Sequence, residues 1–199
     1  MNKNNRAFLL IGLLFLIFAG PLIVAYFLFS ERSFVPPTLN YGRLIQPILP
    51  LKELPLFAKD GQAFDQKQLQ NYWLFVYVNP TECETFCEDN LYKMRQVRKA
   101  TGKNQEQVGR AILTIKGKTT PILDKLLATE YQGTLHLTVD RQDLERFLQG
   151  QPSKDLALSR GTLYLVDPFG NVMMSYKADE DPENILADIR RLLKVSQVS

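Results

Sequence analysis

The sequence predicts an α/β sandwich that follows an N-terminal transmembrane helix. Two observations predict this architecture. Residues 7–29 form an apolar run without a charged residue, and the rest of the chain alternates short apolar, β-branched segments with amphipathic helical segments. A turn-linked pair of strands and a final helix close the chain, which is the order expected when helices cover a sheet. The chain has 199 residues, and the part after the apolar run is long enough for one domain with its own core.

The apolar run, AFLLIGLLFLIFAGPLIVAYFLF, covers Ala7–Phe29. At about 1.5 Å per residue, a helix of this length crosses a hydrocarbon core of about 30 Å. Lys3 and Arg6 precede the run, so the positive-inside rule keeps residues 1–6 in the cytoplasm and places everything after Ser30 outside. The alternative is a cleaved signal peptide, which has a shorter apolar core and small residues at its cleavage site. Neither feature is visible, so the sequence predicts an uncleaved single-pass anchor.

A proline-rich tether, residues 30–55, follows the run. Proline stops helices, so extended backbone is expected here. The segment also has several large apolar residues between Leu39 and Leu49, more than a solvated spacer needs, and we expect part of it to dock on the domain of residues 56–199. The formal net charge of +3 is too small to predict nucleic-acid binding, and the basic residues are not gathered in one arm.

The domain is predicted to begin with a small hairpin at Lys59–Phe64, where Asp60-Gly61 is a turn signal. Buried strands and amphipathic helices then alternate, and the proline and glycine of DPFGN specify a turn before the last strand. The predicted strands are Tyr72–Val78, Arg110–Ile115, Thr134–Val139, Thr162–Val166 and Val172–Tyr176. The predicted helices are Glu88–Thr101, Thr120–Tyr131, Asp140–Gln149 and Pro182–Val195.

Both cysteines of the chain, Cys83 and Cys87, lie between the first core strand and its helix. This order resembles a thioredoxin-like fold. The helix has two possible starts, because Thr81 and Thr85 both fit the capping-box pattern. A start at Thr81 places both thiols on one helical face, whereas a start at Thr85 leaves Cys83 in the loop and Cys87 in the first turn. We favour Thr85, because loop freedom allows the two sulfurs to meet.

Several kinds of chemistry suit this pair. Cysteines outside the cytoplasm tend to oxidise, and two thiolates hold Cu(I), whereas Cu(II) or Zn(II) needs further ligands. A helix N-terminus favours the thiolate, while the neighbouring acidic residues disfavour it. Those residues are Glu82, Glu84, Glu88 and Asp89. An inert disulfide or a buried pair without function is the remaining alternative.

The chain has one histidine, His136, inside a predicted strand. A lone histidine in an apolar strand is more often hydrogen-bonded in the core or at a sheet edge than a metal ligand. We therefore interpret His136 as structural. A Ser-His-Asp triad and a histidine-rich zinc site are disfavoured, and neither glycine-rich phosphate-binding motif occurs.

These residues resemble the Sco/SenC family of membrane-anchored, thioredoxin-fold copper proteins that assist cytochrome c oxidase assembly. The shared features are the anchor, the C-x3-C after a strand, and the late hairpin YLVDPFGNV. The segments PTLNYGRLIQP and LYKMRQVRKATGK resemble a subgroup of Sco-like transmembrane proteins of proteobacteria found among oxidase-biogenesis proteins. The resemblance implies a protein of the inner membrane whose domain, after the anchor, lies in the periplasm.

The chain departs from the family at two places. Sco proteins have proline after each cysteine, whereas Glu84 and Glu88 follow here, and the copper-binding histidine before the late strand is replaced by Ser159. The family's two cysteine ligands therefore carry over to Cys83 and Cys87, and its third ligand does not. The resemblance implies that the reduced pair binds Cu(I) and has little affinity for Cu(II).

Three functions compete at this point. The first, which we favour, is an assembly factor or metallochaperone that handles Cu(I), or the thiol–disulfide state, of a cytochrome c oxidase subunit or another assembly factor. The second is a general membrane-tethered thiol–disulfide oxidoreductase, an enzyme that usually carries C-x2-C and a proline where this chain has Gly161-Thr162. The third is a scaffold in which the cysteines have no catalytic role.

Overall fold

The computed structural model describes residues 3–30, 39–80, 82–83, 85–159 and 161–196. The chain divides between Leu39 and Asn40 into two compact units. The predictions made for Thr81, Glu84 and the tether residues 31–38 therefore lie outside the described residues.

The first unit contains one helix, α1, which spans Lys3–Ser30 and includes Pro21. Residues 7–29, where the sequence predicts a membrane anchor, are helical. Within the part of the chain that the structure describes, no helix combines the length and the apolar character required to cross a membrane.

The second unit is built on one seven-stranded mixed sheet, in the order β1-β7-β6-β3-β4-β5-β2. The three strands β3, β4 and β5 are parallel, and the other pairings are antiparallel. The strands are β1 Arg43–Pro50, β2 Phe57–Ala58, β3 Trp73–Asn79, β4 Val108–Ile115, β5 Leu135–Val139, β6 Thr162–Val166 and β7 Asn171–Lys177. The helices are α2 Thr85–Ala100, α3 Pro121–Thr129, α4 Arg141–Phe147, α5 Lys154–Ser159 and α6 Pro182–Val195.

The central strand β3 is buried along its whole length because both faces of the sheet are covered. Its side chains alternate between two apolar cores, as the two-residue period of a strand requires. Val76 and Val78 belong to the core that includes Leu144 of α4. Phe75 and Tyr77 belong to the core formed with α2, α3 and α6. The predicted α/β sandwich is therefore confirmed, and every predicted strand and helix of the domain is present with small differences at the ends.

The predicted small hairpin at Lys59–Phe64 is present in a minimal form, in which the Ala58 N–H donates to the Gln62 carbonyl and the Phe64 N–H donates to the Leu56 carbonyl. Among the described residues this segment forms a turn with a single bridge between Phe57 and Ala63. Phe57 and Ala58 also pair, on their other side, with Thr138 and Leu137 of β5. Pairing with β5 makes β2 the end strand of the sheet, beside β5.

The edge strand β1 comes from the proline-rich segment. It runs antiparallel to β7, with Arg43 opposite Ser175 and Pro50 opposite Asn171. Proline is tolerated here because an edge strand has one side without ladder hydrogen bonds. The expectation that part of this segment docks on the domain is confirmed, and the folded unit includes residues 40–55.

A buried carboxylate holds the beginning of this segment in place. Asp188 of α6 is 1% exposed and accepts hydrogen bonds from the backbone N–H groups of Tyr41 and Gly42, at 3.0 and 2.8 Å, and from the Tyr176 hydroxyl at 3.2 Å. Arg191 lies 3.6 Å away, on the exposed side. Asp188 thus joins α6, β7 and the start of the docked segment.

Candidate functional site

Cys83 and Cys87 lie at the carboxyl end of the central strand. The strand β3 ends at Asn79, Cys83 lies in the following loop, and α2 begins at Thr85 with Cys87 in its first turn. Of the two helix starts that the sequence allows, the structure has the one at Thr85. The two sulfurs are joined in a disulfide, and the Cα atoms are 5.1 Å apart. The loop has therefore brought the thiols together, as expected.

The two sulfur-bearing residues differ in exposure. Cys87 is 2% exposed and is part of the core on the α2 face of the sheet, whereas Cys83 is only partly buried and packs against that core. Thiol–disulfide exchange requires direct attack by a thiolate on one sulfur of the bond. By this measure Cys83 is the more accessible residue of the pair.

Gly161, just before β6, lies against the end of β3, since the next residue, Thr162, pairs with Val78. Gly161 has a φ of +85°, and an added Cβ would lie 2.6 Å from the Tyr77 hydroxyl oxygen and 2.8 Å from the Val78 carbonyl oxygen. A side chain cannot be placed there without moving the backbone. Burial raises the pKa of Tyr77 to about 12, so this hydroxyl stays protonated. Gly161 therefore allows β6 to begin directly beside the carboxyl end of β3.

Lys93 is the basic residue closest to Cys87 in the sequence of α2, and its charge is engaged elsewhere. Its Nζ donates a hydrogen bond of 2.7 Å to the Ala178 carbonyl. Burial lowers the pKa of Lys93, while Asp179 and Asp89 are among the carboxylates that oppose this shift. Lys93 therefore ties α2 to the connection between β7 and α6.

His136 lies two strands away from β3, in β5. Its Nε2 is 3.1 Å from Thr114 Oγ1, and its Nδ1 is 3.8 Å from Asp124 Oδ1. Burial lowers the pKa of His136, although Asp124 acts in the opposite direction. The hydrogen bond within the sheet agrees with the interpretation of this residue as structural.

The donors at the disulfide suit one metal class. Two sulfur atoms match the preference of Cu(I) for soft ligands, provided that the pair is reduced. Among the residues that the structure describes, no group of three or more histidine, cysteine, aspartate or glutamate side chains is arranged to hold a metal ion. Ser159, which the sequence resemblance aligns with the third ligand of Sco proteins, is the last residue of α5. The two sulfurs would thus suit Cu(I) as a cargo once the pair is reduced.

Sequence reasoning missed two buried charged residues, Asp188 and Arg110. Both lie at core positions of otherwise apolar sequence patterns, so their charge stands out in the sequence. Asp188 directly precedes Ile189 and is three residues after Ile185, on the buried face of α6. Arg110 follows Gly109 in the buried strand β4. A charged residue at a core position of an otherwise apolar pattern is the signal that was available.

Comparisons with known proteins agree with this architecture. Yeast Sco1 with copper bound has 18% identity and a TM-score of 0.56, covering 71% of this chain and 90% of the yeast chain. BsSco, described as a Sco-family cytochrome c oxidase assembly protein with a disulfide switch, has 19% identity and a TM-score of 0.53, covering 74% and 96%. A thiol:disulfide interchange protein from Bacteroides sp. has 10% identity and a TM-score of 0.50, covering 78% and 91%.

At these identities the likeness establishes the fold, and it confirms the thioredoxin-like fold expected from the sequence. No protein with a curated function matches the chain. Residues 73–196, more than half of the chain, match the family described as transmembrane-like, thioredoxin-like, C-terminal domain. The chain therefore belongs to this transmembrane-like, thioredoxin-like family.

Proposed function

We propose that the protein is a membrane-anchored, Sco-like assembly factor for cytochrome c oxidase that acts through Cys83 and Cys87. The observation that carries this proposal is the C-x3-C disulfide at the carboxyl end of β3, with one accessible and one buried cysteine. The fold shared with copper-bound Sco1 and with BsSco supports the process, as do the anchor, the late hairpin and the other sequence features that resemble the Sco family.

The reduced pair has two uses in such a process. As a reductant, the Cys83 thiolate attacks one sulfur of a client disulfide, and the client's other sulfur leaves as a thiolate. The Cys87 thiolate then attacks Cys83 Sγ, which releases the second client thiolate and forms the Cys83–Cys87 bond. Two electrons pass to the client, and a thiol reductant on the same side of the membrane restores the dithiol.

As a metal carrier, the same dithiol holds one Cu(I) between its two thiolates. A site with two donors releases its cargo more readily than a site with a third protein ligand, which suits transfer rather than storage. Oxidation of the pair removes both donors at once. The disulfide and Cu(I) are therefore mutually exclusive states of this site.

The proposal places the domain outside the cytoplasm, attached by residues 7–29 to the inner membrane. The uncharged sequence of this segment, with Lys3 and Arg6 before it, supports this topology, as does the transmembrane-like description of the family. A reporter that is active only in oxidising compartments, fused after Ser199, is expected to be active. A fusion with a reporter that works only in the cytoplasm would give signal instead if the orientation were reversed.

The deciding experiment measures Cu(I) stoichiometry and oxidase assembly in the same set of variants. The reduced full chain, in a non-ionic detergent, is expected to bind about one Cu(I), and the oxidised chain none. Cys83→Ser and Cys87→Ser should each lose most of the affinity, because one thiolate remains. His136→Ala is the control and should bind as the wild type does, since His136 contacts Thr114 within the sheet.

Three outcomes separate the candidate functions. Retained Cu(I) affinity in both cysteine variants would reject copper handling by this pair. Full rescue of oxidase assembly by the double cysteine variant would reject both chemical roles and favour a scaffold. Loss of copper binding in a folded His136→Ala variant would make His136 a third ligand.

A general thiol–disulfide oxidoreductase is the second candidate, favoured by the disulfide and by the fold shared with the Bacteroides interchange protein. The C-x3-C spacing disfavours this candidate, because such enzymes usually have C-x2-C. Gly161-Thr162 also disfavours it, because such enzymes usually have a proline there. Rapid reduction of unrelated disulfide substrates by the reduced chain, without any effect on oxidase assembly, would establish this activity in place of the first.

A further inference from the structure

A cleft lies at the edge of the sheet opposite the disulfide. Its walls lie near the amino ends of three parallel strands. Tyr72 directly precedes β3, Arg110 lies in β4, and Leu135 begins β5. The cleft has a volume of about 430 Å³, within the range of roughly 300–1,000 Å³ that small-molecule sites occupy. The cysteine pair follows the other end of β3, so the cleft is separate from the disulfide site.

Arg110 is a buried charged residue in the lining of this cleft. It is 7% exposed, and its Nη2 donates one hydrogen bond, of 2.7 Å, to the Gln132 carbonyl. Its Nε and Nη1 are buried and have no hydrogen-bond partner among the described residues. A guanidinium has five N–H donors, and a buried charge without an acceptor is costly unless something completes the arrangement.

The surroundings of Arg110 add positive charge. Burial lowers the pKa of Arg110, and the positive charges of Arg98 and Arg95 lower it further. Arg98 lines the cleft, where its Nε bonds to the Val108 carbonyl at 2.8 Å and its Nη2 lies 3.2 Å from Glu106. The Glu106 side chain is 80% exposed, so this carboxylate stays at the rim and does not reach Arg110 in the described structure.

One part of the cleft wall beside Arg110 has no side chain. Gly133 lies next to the guanidinium, and even an added Cβ would stay 3.7 Å from Nη2. No side chain of residue 133 therefore stands between Nη2 and the cleft. Tyr72, Leu74 and Leu135 give the rest of the wall an apolar character.

We infer that this cleft binds a small organic anion whose carboxylate or phosphate oxygens pair with Arg110 and Arg98 while its carbon atoms lie against Tyr72 and Leu135. Guanidinium groups bind both oxyanions through parallel, charge-assisted hydrogen bonds. The anion would supply the opposite charge next to Arg110, for which no carboxylate of the described residues forms an ion pair, while Nε and Nη1 remain buried without a described partner. This site acts independently of the cysteine pair.

Titration of the full chain in a non-ionic detergent tests the inference, with succinate and inorganic phosphate as probes at constant ionic strength. Saturable binding of at least one probe is expected. Arg110→Gln should weaken it roughly tenfold or more, because the anion loses a charge-assisted interaction with a buried guanidinium. Arg98→Gln should weaken binding to a smaller extent, and Glu106→Gln should strengthen it by removing a competing carboxylate.

Arg146→Gln is the matched control, since Arg146 is 74% exposed on α4, away from the cleft, and it should bind both probes as the wild type does. Preference for succinate would identify a carboxylate ligand, and preference for phosphate a phosphorylated one. If Arg110→Gln fails to fold, Arg98→Gln and Glu106→Gln still decide the question. Absence of saturable binding of both probes, or equal affinities in the wild type and all cleft variants, would overturn the proposal.

Discussion

Asp188 and Arg110 are both buried charged residues, yet their surroundings differ. Asp188 is 1% exposed and accepts hydrogen bonds from two backbone N–H groups and one hydroxyl, with Arg191 nearby. Arg110 is 7% exposed and donates a single described hydrogen bond, to Gln132, while two of its nitrogens have none among the described residues.

The difference separates a structural charge from a candidate binding residue. A buried charge whose hydrogen bonds are complete holds chain segments together, and its loss leaves several partners without an acceptor. A buried charge with incomplete hydrogen bonding stabilises the fold less, and its missing partners require an explanation such as a ligand. Asp188 should therefore matter for stability and Arg110 for binding.

The largest effect is expected for Asp188→Ala. The substitution leaves the N–H groups of Tyr41 and Gly42 and the Tyr176 hydroxyl without their acceptor, and breaking such a buried group typically costs about 3–5 kcal/mol. Urea unfolding of the full chain in a non-ionic detergent measures the change in unfolding free energy. Glu145→Ala, a partly exposed acid on α4, is the control and should cost less than about 0.5 kcal/mol. A loss at Asp188 as small as the control's would contradict the comparison.

The second-largest loss of unfolding free energy is expected when the Tyr176 hydroxyl is removed. Burial and the nearby Asp188 carboxylate raise the pKa of Tyr176, so this hydroxyl remains a donor. Tyr176→Phe removes one hydrogen bond and should cost about 1–1.5 kcal/mol. Because the two side chains are in contact, the double variant with Asp188→Ala should lose less than the sum of the single losses. Additive losses in the same urea experiment would show that Asp188 is held by its backbone partners alone.

Periodicity accounts for most of the fold that the sequence predicts. The strand β6 and the helix α6 have the same bounds in prediction and structure, because a strict apolar pattern and a proline at the helix start leave one interpretation. The strand β1 was not predicted, because prolines 47 and 50 argue against a strand anywhere except at an edge, and edge position is a property of the whole sheet.

The candidate site was predictable in part. The Thr85 start of α2 and the approach of the two sulfurs follow from local chain chemistry, and both are present. The unequal burial of Cys83 and Cys87 depends on how α2 packs on the sheet, which local sequence does not determine. The contact between His136 and Asp124 likewise joins β5 to α3, and no spacing in the sequence indicates it.

A smaller effect is expected for Arg110→Met. Replacing an incompletely paired buried charge by an apolar side chain of similar length is often neutral or stabilising. We expect the unfolding free energy to change by less than about 1 kcal/mol, or to rise, because only the bond to Gln132 is lost. The same urea experiment that tests Asp188 measures this change. A loss as large as that of Asp188→Ala would mean that Arg110 is part of the folded core's hydrogen bonding and would weaken the case for a ligand.

The smallest change in unfolding free energy is expected for His136, a third buried titratable residue to compare with Asp188 and Arg110. Its Nδ1 is buried and has no hydrogen-bond partner among the described residues, and burial lowers the pKa of His136 below its ordinary value of 6.5. The unfolded chain therefore binds a proton more readily than the folded chain, so stability is retained above about pH 6.5 and lost as the pH falls below it. Because His136 is the only histidine of the chain, unfolding free energies measured at pH 7 and pH 5.5 report largely on this residue. His136→Gln should reduce the loss of stability between these two values. An identical loss in the variant and the wild type would show that His136 takes up its proton equally well in the folded chain, with Asp124 then acting as its partner.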